Sequence, residues 1–165
     1  MTDLLPPVMD PEQGFLGLSA DLAHGAAGAR AAVLPFPVEA TVSYGGGTAR
    51  GPEAILQASH QVELFDETAW TEPVRSYGVQ THQPPRIPSD LEAMVDELAH
   101  MTGAILDAGQ FPLILGGEHS LTPGPVRAAA ARHPGLVIVQ IDAHADLRDG
   151  YEGEAFSHAA AMRRC

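Results

Sequence analysis

Two uninterrupted apolar runs constrain the fold of this chain more than any other feature of its sequence. FPLIL at 111–115 ends abruptly at Gly116-Gly117, and LVIVQI at 136–141 runs directly into DAHAD at 142–146. Continuous apolar runs of this kind are typical of buried strands in a parallel sheet that helices cover on both faces. An amphipathic helical pattern precedes the first run. The sequence therefore predicts an α/β fold with a mainly parallel sheet.

Shorter signals predict two further strands and place them before the apolar runs. Residues 1–30 are rich in Gly, Ala and Pro without a sustained period, so we interpret them as an irregular N-terminal arm. AAVLPF at 31–36 predicts a first strand, and residues 77–80 predict a short second one. Residues 31–165 are then interpreted as the N-terminal part of a single domain.

Three helices are predicted between and after these strands. One begins at Pro52 and runs to Ser59, and a short one lies between residues 125 and 132. The longest begins after Ser89, which we take as its N-cap with Glu92 completing a capping box, and it ends before Gly109. Its apolar residues recur every three or four positions and form one stripe: Leu91, Met94, Val95, Leu98, Met101, Ile105 and Leu106.

Polar clusters follow both apolar runs, at the edge of a parallel sheet where ligands usually bind. Asp142, His144 and Asp146 alternate at the end of the second run, so their side chains are expected to converge. His119 follows the first run. Two carboxylates with imidazoles suit manganese, zinc, iron or nickel. The alternatives are a solvated turn for the aspartates and a structural role for His119, but two clusters at one edge favour a metal site.

A third cluster, FSHAAAMRR at 156–164, follows an acidic loop at 146–154 that is expected to fold over the site. His158 is a candidate proton shuttle because the ordinary pKa of histidine lies near neutrality. The same segment is equally consistent with the start of a helix capped by Ser157. Both interpretations can hold at once.

Composition excludes several classes of function. The formal net charge is −12, and all nine basic residues are Arg, which argues against nucleic acid or anionic lipid as a partner. Without Lys there is no P-loop, and Arg50 stands where a dinucleotide-binding loop needs its third Gly. No apolar run is long enough to span a membrane. Cys165 is the only cysteine, which fits a cytoplasmic protein without internal disulfides.

Taken in order, the motifs resemble those of the ureohydrolase family of arginases and agmatinases. The resemblance rests on GGEHS at 116–120, DAHAD at 142–146 and SHAAAMRR at 157–164. TVSYGGGTARGPEAIL at 41–56 and DLRDGYEGEAFSHAAAMRR at 146–164 are similar to the agmatinase branch in particular. The resemblance implies a three-layer α/β/α fold and metal-dependent hydrolysis of a guanidino compound, with agmatine giving putrescine and urea.

The resemblance also implies a role for each candidate site residue and a cofactor of two Mn²⁺ ions. His119, Asp142 and Asp146 would bind one ion, while Asp142 and His144 would bind the other. His158 would take the position of the family's proton-relay histidine. The substrate would be a small cationic guanidino compound, and the full-length protein would be a homo-oligomer, either a trimer or a hexamer.

One departure from the family pattern bears on activity. The family carries a later S-x-D-x-D-x-x-D-P element that completes both metal sites, and then a Glu that holds the guanidinium; neither occurs in these 165 residues. We therefore expect this polypeptide by itself to be inactive. Other guanidino substrates remain open (guanidinobutyrate, guanidine, arginine or formiminoglutamate), as does a non-catalytic domain with a partial metal site.

Overall fold

A three-stranded parallel sheet lies at the centre of the computed structural model, which describes residues 4–23 and 28–165. The strands are β1 (Ala31–Phe36), β2 (Val79–Thr81) and β3 (Phe111–Gly116). Their order is β2-β1-β3, and Ala31 is aligned with Val79 on one side and with Phe111 on the other. The predicted α/β class with a parallel sheet is confirmed.

Helices connect the strands and form the outer layers. Helices α1 (Gly51–Ser59) and α2 (Val74–Tyr77) lie between β1 and β2, and α3 (Leu91–Asp107) lies between β2 and β3. Parallel crossover connections are right-handed. Because these two connections cross the sheet in opposite directions, α1 and α3 lie on opposite faces, which gives the predicted three layers. Helix α4 (Pro123–Ala130) and the short α5 (Ala161–Arg164) follow β3.

The main core lies between β1 and α3. Ala32, Leu34 and Phe36 alternate along β1 and are fully buried against the predicted apolar stripe of α3. Helix α4 packs closely on α3 at Gly124, where a Cβ atom would lie 2.8 Å from the Val95 carbonyl oxygen. The residues of α3 in this core are Met94, Val95, Leu98, Met101 and Ile105.

The start of α3 differs from the prediction by one residue. Asp90 is its N-cap, and the Asp90 carboxylate accepts a hydrogen bond from the Ala93 backbone N–H at 2.8 Å. The prediction of Ser89 as the cap was wrong because the helix begins at Leu91, so Ser89 lies one position too early to take that role. The other end is as predicted: Gly109, with φ +74, follows the last helical residues. Helix α4 begins two residues earlier than predicted.

The second apolar run does not form the predicted strand. Residues 136–141 have no regular secondary structure, and Val137, Val139 and Ile141 are 81%, 82% and 97% exposed. A buried strand needs a hydrogen-bonded neighbour and a covering layer on each face. Nothing in residues 4–23 and 28–165 pairs with this run, and β3 pairs only with β1. The prediction was therefore wrong for this chain, although its composition is that of a strand.

The described part of the N-terminal arm packs along the sheet. It contains one 3₁₀ turn at Phe15–Gly17, and Val8 forms an isolated antiparallel bridge with His82. Residues 1–3 and 24–27 of the predicted arm lie outside the described residues. Within the described part of the chain, no helix has the length and apolar character that crossing a bilayer requires.

Candidate metal centre

A tight turn after β3 positions the first candidate ligand. Gly117 passes so close to Val38 that a Cβ atom would lie 1.9 Å from the Val38 carbonyl oxygen, so only glycine fits here. The backbone N–H of Glu118 donates to the same oxygen at 3.1 Å. His119 then begins a 3₁₀ turn, His119–Leu121, at the carboxyl edge of the sheet. The paired glycines therefore bring the imidazole to the edge where ligands usually bind.

Three of the four predicted metal ligands come together at this edge. The Nδ1 atom of His119 lies 2.6 Å from Asp146 Oδ2 and 3.6 Å from Asp142 Oδ2. One ligand atom from each of these three residues lies within 4.8 Å of the others. Their side chains are 24%, 12% and 27% exposed for His119, Asp146 and Asp142 respectively. Two carboxylates and one imidazole at this spacing form a ligand set that suits a divalent cation.

His144 lies outside this group. Its side chain is 80% exposed, and its Nδ1 atom lies 3.6 Å from Asp142 Oδ1. The expected alternation fails because residues 142–146 do not continue as an extended strand: the chain bends at 143–144, and Asp146 has φ 48. Aspartate tolerates this left-handed conformation better than most residues. The turn therefore directs Asp142 and Asp146, but not His144, toward His119.

Backbone contacts hold the turn in place. The carbonyl oxygen of Asp146 accepts hydrogen bonds from the N–H groups of Met162 and Arg163, at 3.1 and 3.3 Å. The N–H of Arg148 donates to the carbonyl of Ala159 at 3.3 Å. The start of the predicted acidic loop is therefore held against the segment that follows the loop, and Arg148 and Tyr151 line the same cavity as the candidate ligands.

The pKa of Asp142 is lowered from its ordinary value of 3.8. The largest cause is the hydrogen bond from the His144 backbone N–H, followed by one from the Gln140 side chain. Partial burial opposes this shift, and the charges of His119 and His144 add to it. The carboxylate is consequently ionised at neutral pH, as a metal ligand must be.

His158 shares a cavity with the three candidate ligands. It begins a 3₁₀ turn, His158–Ala160, and lines a space of about 910 Å³ together with His119, Asp142 and Asp146. The Tyr151 ring meets the His158 ring edge-on, with centroids 5.7 Å apart. Ser157 occupies the N-cap position, but its hydroxyl makes no capping hydrogen bond. The structure therefore brings His158 to the site, while the interpretation of Ser157 as a capping side chain was wrong.

Two residues that the sequence analysis did not select, Glu118 and Thr41, connect to His158. The Glu118 carboxylate accepts hydrogen bonds from the hydroxyls of Thr41 and Ser120, at 2.7 and 2.6 Å. The Thr41 hydroxyl in turn lies 3.0 Å from His158 Nδ1. Glu118 stands between the paired glycines and His119, a position that could have drawn attention to it. No local pattern identifies Thr41, which is 117 residues from His158.

The pKa of Glu118 is also lowered from its ordinary value, here 4.5. Burial is the largest influence and raises the pKa, but the hydrogen bonds together outweigh it. They come from the side chains of Ser120 and Thr41 and from the backbone N–H groups of Ala40 and Thr41. Glu118 is thus a buried carboxylate, only 6% exposed, that is held in its ionised form.

The glycine-rich loop forms another wall of the cavity. Glu39 organises it by accepting hydrogen bonds from the N–H groups of Gly47 and Ala49, at 2.6 and 3.1 Å, and from the Thr48 hydroxyl at 3.0 Å. Tyr44, at the tip, is 97% exposed and lines the mouth of the cavity. The loop that fails as a dinucleotide-binding sequence therefore borders the candidate metal centre.

Comparison with known proteins agrees with this arrangement. The chain is similar to an N(1)-aminopropylagmatine ureohydrolase from Synechocystis, with 42% identity over 147 residues that cover 84% of this chain and 47% of that protein. It is 33% identical to an agmatinase from Bacillus anthracis over 132 residues, covering 80% and 46%. The crystal structure of the Thermoplasma volcanium agmatine ureohydrolase superposes with a TM-score of 0.76 at 30% identity, covering 88% and 48%.

The chain spans about half the length of the curated relatives it matches. The model of the Arginase family matches residues 29–165, which include both polar clusters and His158. On the basis of that match, the fold and the relatives, this chain belongs to the arginase family.

Proposed function

We propose that the protein hydrolyses agmatine to urea and putrescine. The observation that carries this proposal is the convergence of His119, Asp142 and Asp146 at the carboxyl edge of the sheet. In a family whose matched members include agmatinases and an aminopropylagmatine ureohydrolase, a divalent-cation site at this edge supports guanidino hydrolysis. Among the described residues, the cluster consists of two carboxylates and one imidazole that would hold a cation, so water is the attacking group in this proposal.

The residues at the cluster fit manganese as a cofactor. His119, Asp142 and Asp146 would hold one ion, since their ligand atoms already lie close together. Asp142 would be shared with a second ion, to which His144 would also contribute after rotating from its exposed position. The bound cations would supply a nucleophile at neutral pH by lowering the pKa of water. A guanidinium is a poor electrophile, which is why a strong nucleophile is needed.

His158 would serve as the proton relay. It lines the same cavity as the metal ligands, and its Nδ1 atom is engaged by Thr41. Urea formation requires a proton for the departing amine, and an imidazole is a group that can deliver one. The edge-on contact with Tyr151 supports the ring in this position.

Charge supports a cationic substrate, and one relative favours a second candidate. The formal net charge of −12 attracts small cations such as agmatine toward the protein. The relative with 42% identity is an N(1)-aminopropylagmatine ureohydrolase. N(1)-aminopropylagmatine carries the same guanidino group on a longer amine chain, and it would give urea and the corresponding triamine.

Assembly and activity of the whole protein also remain proposals. Because the chain spans about half the length of its relatives, the 165 residues alone are expected to be inactive. A homo-oligomer, either a trimer or a hexamer, stays a prediction for the full-length protein.

Urea release measured on the Mn²⁺-loaded protein, expressed from its complete gene, tests the proposal. Agmatine, N(1)-aminopropylagmatine, guanidinobutyrate and arginine would be compared by kcat/KM. We expect agmatine to be turned over fastest, and faster turnover of N(1)-aminopropylagmatine would select the second candidate. Failure to hydrolyse any guanidino compound, with manganese bound, would refute the proposed function.

A further inference from the structure

We propose that Thr41 and Glu118 are positioning residues that hold the His158 imidazole in one tautomer, with its proton on Nδ1. The inference deepens the proposed function, because it assigns a support to the proposed proton relay. It rests on a hydrogen-bonded chain from the end of β3, through the segment after β1, to the turn at residue 158. Neither Thr41 nor Glu118 is a proposed metal ligand.

Glu118 is the fixed end of this chain. Its side chain is buried, and both carboxylate oxygens are occupied by donors. Oε2 accepts from the Ala40 N–H at 2.7 Å and from the Thr41 N–H at 2.8 Å. Oε1 accepts from the Thr41 hydroxyl at 2.7 Å and from the Ser120 hydroxyl at 2.6 Å. A carboxylate surrounded by donors in this way has little freedom to rotate or to release one of them.

Counting protons on Thr41 fixes the direction of the next hydrogen bond. The Thr41 hydroxyl has one proton, and the 2.7 Å contact with Glu118 Oε1 requires a proton between the two oxygens. Glu118 already accepts from two backbone N–H groups on Oε2 and from the Ser120 hydroxyl on Oε1, so it acts as the acceptor in this contact and the proton is that of Thr41. The Thr41 oxygen can then only accept from His158. It accepts from the His158 backbone N–H at 2.9 Å and from the ring Nδ1, 3.0 Å away.

The opposite arrangement would leave two oxygens in conflict. If Thr41 donated to an unprotonated His158 Nδ1, its oxygen would face Glu118 Oε1 at 2.7 Å with no proton between them. Burial makes such a lone-pair contact costly. For the neutral imidazole, the geometry therefore selects the tautomer in which Nδ1 carries the proton and Nε2 carries the lone pair.

As a consequence, only one ring nitrogen of His158 remains available for proton transfer. Nε2 of His158 makes no hydrogen bond with the described residues, and His158 lines the cavity, so Nε2 is the nitrogen left to take up and deliver a proton. Two contacts to one hydroxyl, from the backbone and from the ring, also fix the rotation of the imidazole. A relay histidine held in the wrong tautomer would present a proton where a lone pair is needed, which is a recognised route to large losses of turnover.

The tautomer can be observed directly by NMR, independently of turnover. Two-bond ¹H–¹⁵N spectra distinguish protonation on Nδ1 from protonation on Nε2, and comparison with His158→Ala assigns the signal. The protein from the complete gene would be loaded with Zn²⁺, because Mn²⁺ broadens nearby resonances. The variants are Thr41→Val, which removes the hydroxyl at nearly constant shape, and Thr41→Ser, which keeps it. Ser120→Ala is the matched control, since it removes another donor to Glu118 but leaves the Thr41–His158 contact.

We expect Nδ1 protonation in the unaltered protein, in Thr41→Ser and in Ser120→Ala, and its loss in Thr41→Val. With agmatine, Thr41→Val should lower kcat by roughly 10- to 100-fold with KM changed less than about twofold, because a positioned acid–base group typically contributes 10²–10⁴-fold. Thr41→Ser should recover most of that loss. The exposed Thr68, replaced by Val, should leave both readouts unchanged.

Different failures separate this inference from the proposed function. Persistence of the Nδ1-protonated form in Thr41→Val would overturn the inference, as would a tautomer change in Ser120→Ala, which would indicate general loosening. If Thr41→Val does not fold, failure of Thr41→Ser to show the Nδ1 proton would also overturn it. Absence of guanidino turnover, with the tautomer shift observed as expected, would leave the positioning inference standing and remove only the proposed function.

Discussion

Residues 111–121 and 136–146 share one sequence pattern but have different structures. Each has an apolar run followed by a polar cluster that contributes to the candidate metal centre. The first run is β3, which is aligned with β1 along its whole length. It lies at the edge of the three-stranded sheet with Phe111 68% exposed, so the prediction of a strand was right and the prediction that it is buried was wrong. Its polar cluster includes the buried Glu118. The second run has no strand pairing among the described residues, and Ile141, next to Asp142, is 97% exposed.

The difference teaches that an apolar run specifies a strand only where a neighbour is available to pair with it. Backbone N–H and C=O groups of a strand must find partners on an adjacent strand. β1 provides those partners for β3, whereas residues 136–141 find none in the described part of the chain. The positions of the polar clusters depend less on strand pairing. Contacts with the segment after residue 157 hold the second cluster in place although its apolar run is unpaired among the described residues.

The largest expected effect concerns ligands from both regions. His119→Ala removes a ligand from the first region, and Asp142→Ala removes one from the second. Each should lower turnover by the protein from the complete gene at least about 100-fold, because losing a ligand exceeds the 10–100-fold typical of outer-shell partners. Urea release and metal content measure the effect. His133→Ala, at an exposed histidine outside the site, is the control. Unequal effects, with one variant fully active, would show that only one region contributes.

Acid should destabilise the first region through Glu118. Its pKa in the folded protein lies below the ordinary 4.5, so its contribution to stability is complete above about pH 4.5 and is lost as the pH falls through the folded value. Glu118→Gln should remove this contribution and cost about 3 kcal/mol, since buried donors would lose a charged acceptor. Urea unfolding as a function of pH tests both points. If the free energy of unfolding of Glu118→Gln falls with acid as it does in the unaltered protein, other carboxylates cause the acid destabilisation.

Removing an apolar side chain should cost more stability in the first region than in the second, in the 165-residue chain. Leu121 is 6% exposed in the main core, so Leu121→Ala should lower the free energy of unfolding by roughly 2–4 kcal/mol. Val139 is 82% exposed, so Val139→Ala should change it by less than about 0.5 kcal/mol. Denaturant unfolding gives both values.

Hydrogen exchange provides an independent control for the same comparison. Amides of 111–116 that are hydrogen-bonded to β1 should exchange slowly, and those of 136–141 should exchange rapidly. Slow exchange across 136–141 would mean that this run is paired after all, and would remove the contrast between the regions.

The smallest expected effect concerns the helix that leads into β3. Asp90→Ala should cost about 1 kcal/mol because it removes the N-cap hydrogen bond to Ala93. Ser89→Ala should have almost no effect, because Ser89 is not the cap. Thermal unfolding of the two variants decides between the cap seen in the structure and the one predicted from sequence; a larger effect at Ser89 would favour the sequence prediction.

Much of the fold and part of the site could be predicted from short-range patterns. The stripe of α3, the strand at 31–36 and the end of α3 at Gly109 follow from periodicity and from local backbone preference, which act over a few residues. His119, Asp142 and Asp146 could be selected because polar residues after apolar runs mark a sheet edge. His144 could not be placed, since strand alternation does not hold once the chain bends at 143–144.

The sequence by itself determined the α/β class, the helix-forming stripe and the family. Apolar periodicity and the order of motifs are properties of the linear sequence and do not depend on which distant residues come into contact. Only the tertiary structure decided which apolar run is a strand, since pairing depends on a neighbour distant in sequence. It likewise decided that Thr41 lies between Glu118 and His158 and contacts both. The contact with His158 joins residues 117 positions apart, and no local pattern encodes which side chains a fold will bring within hydrogen-bonding distance.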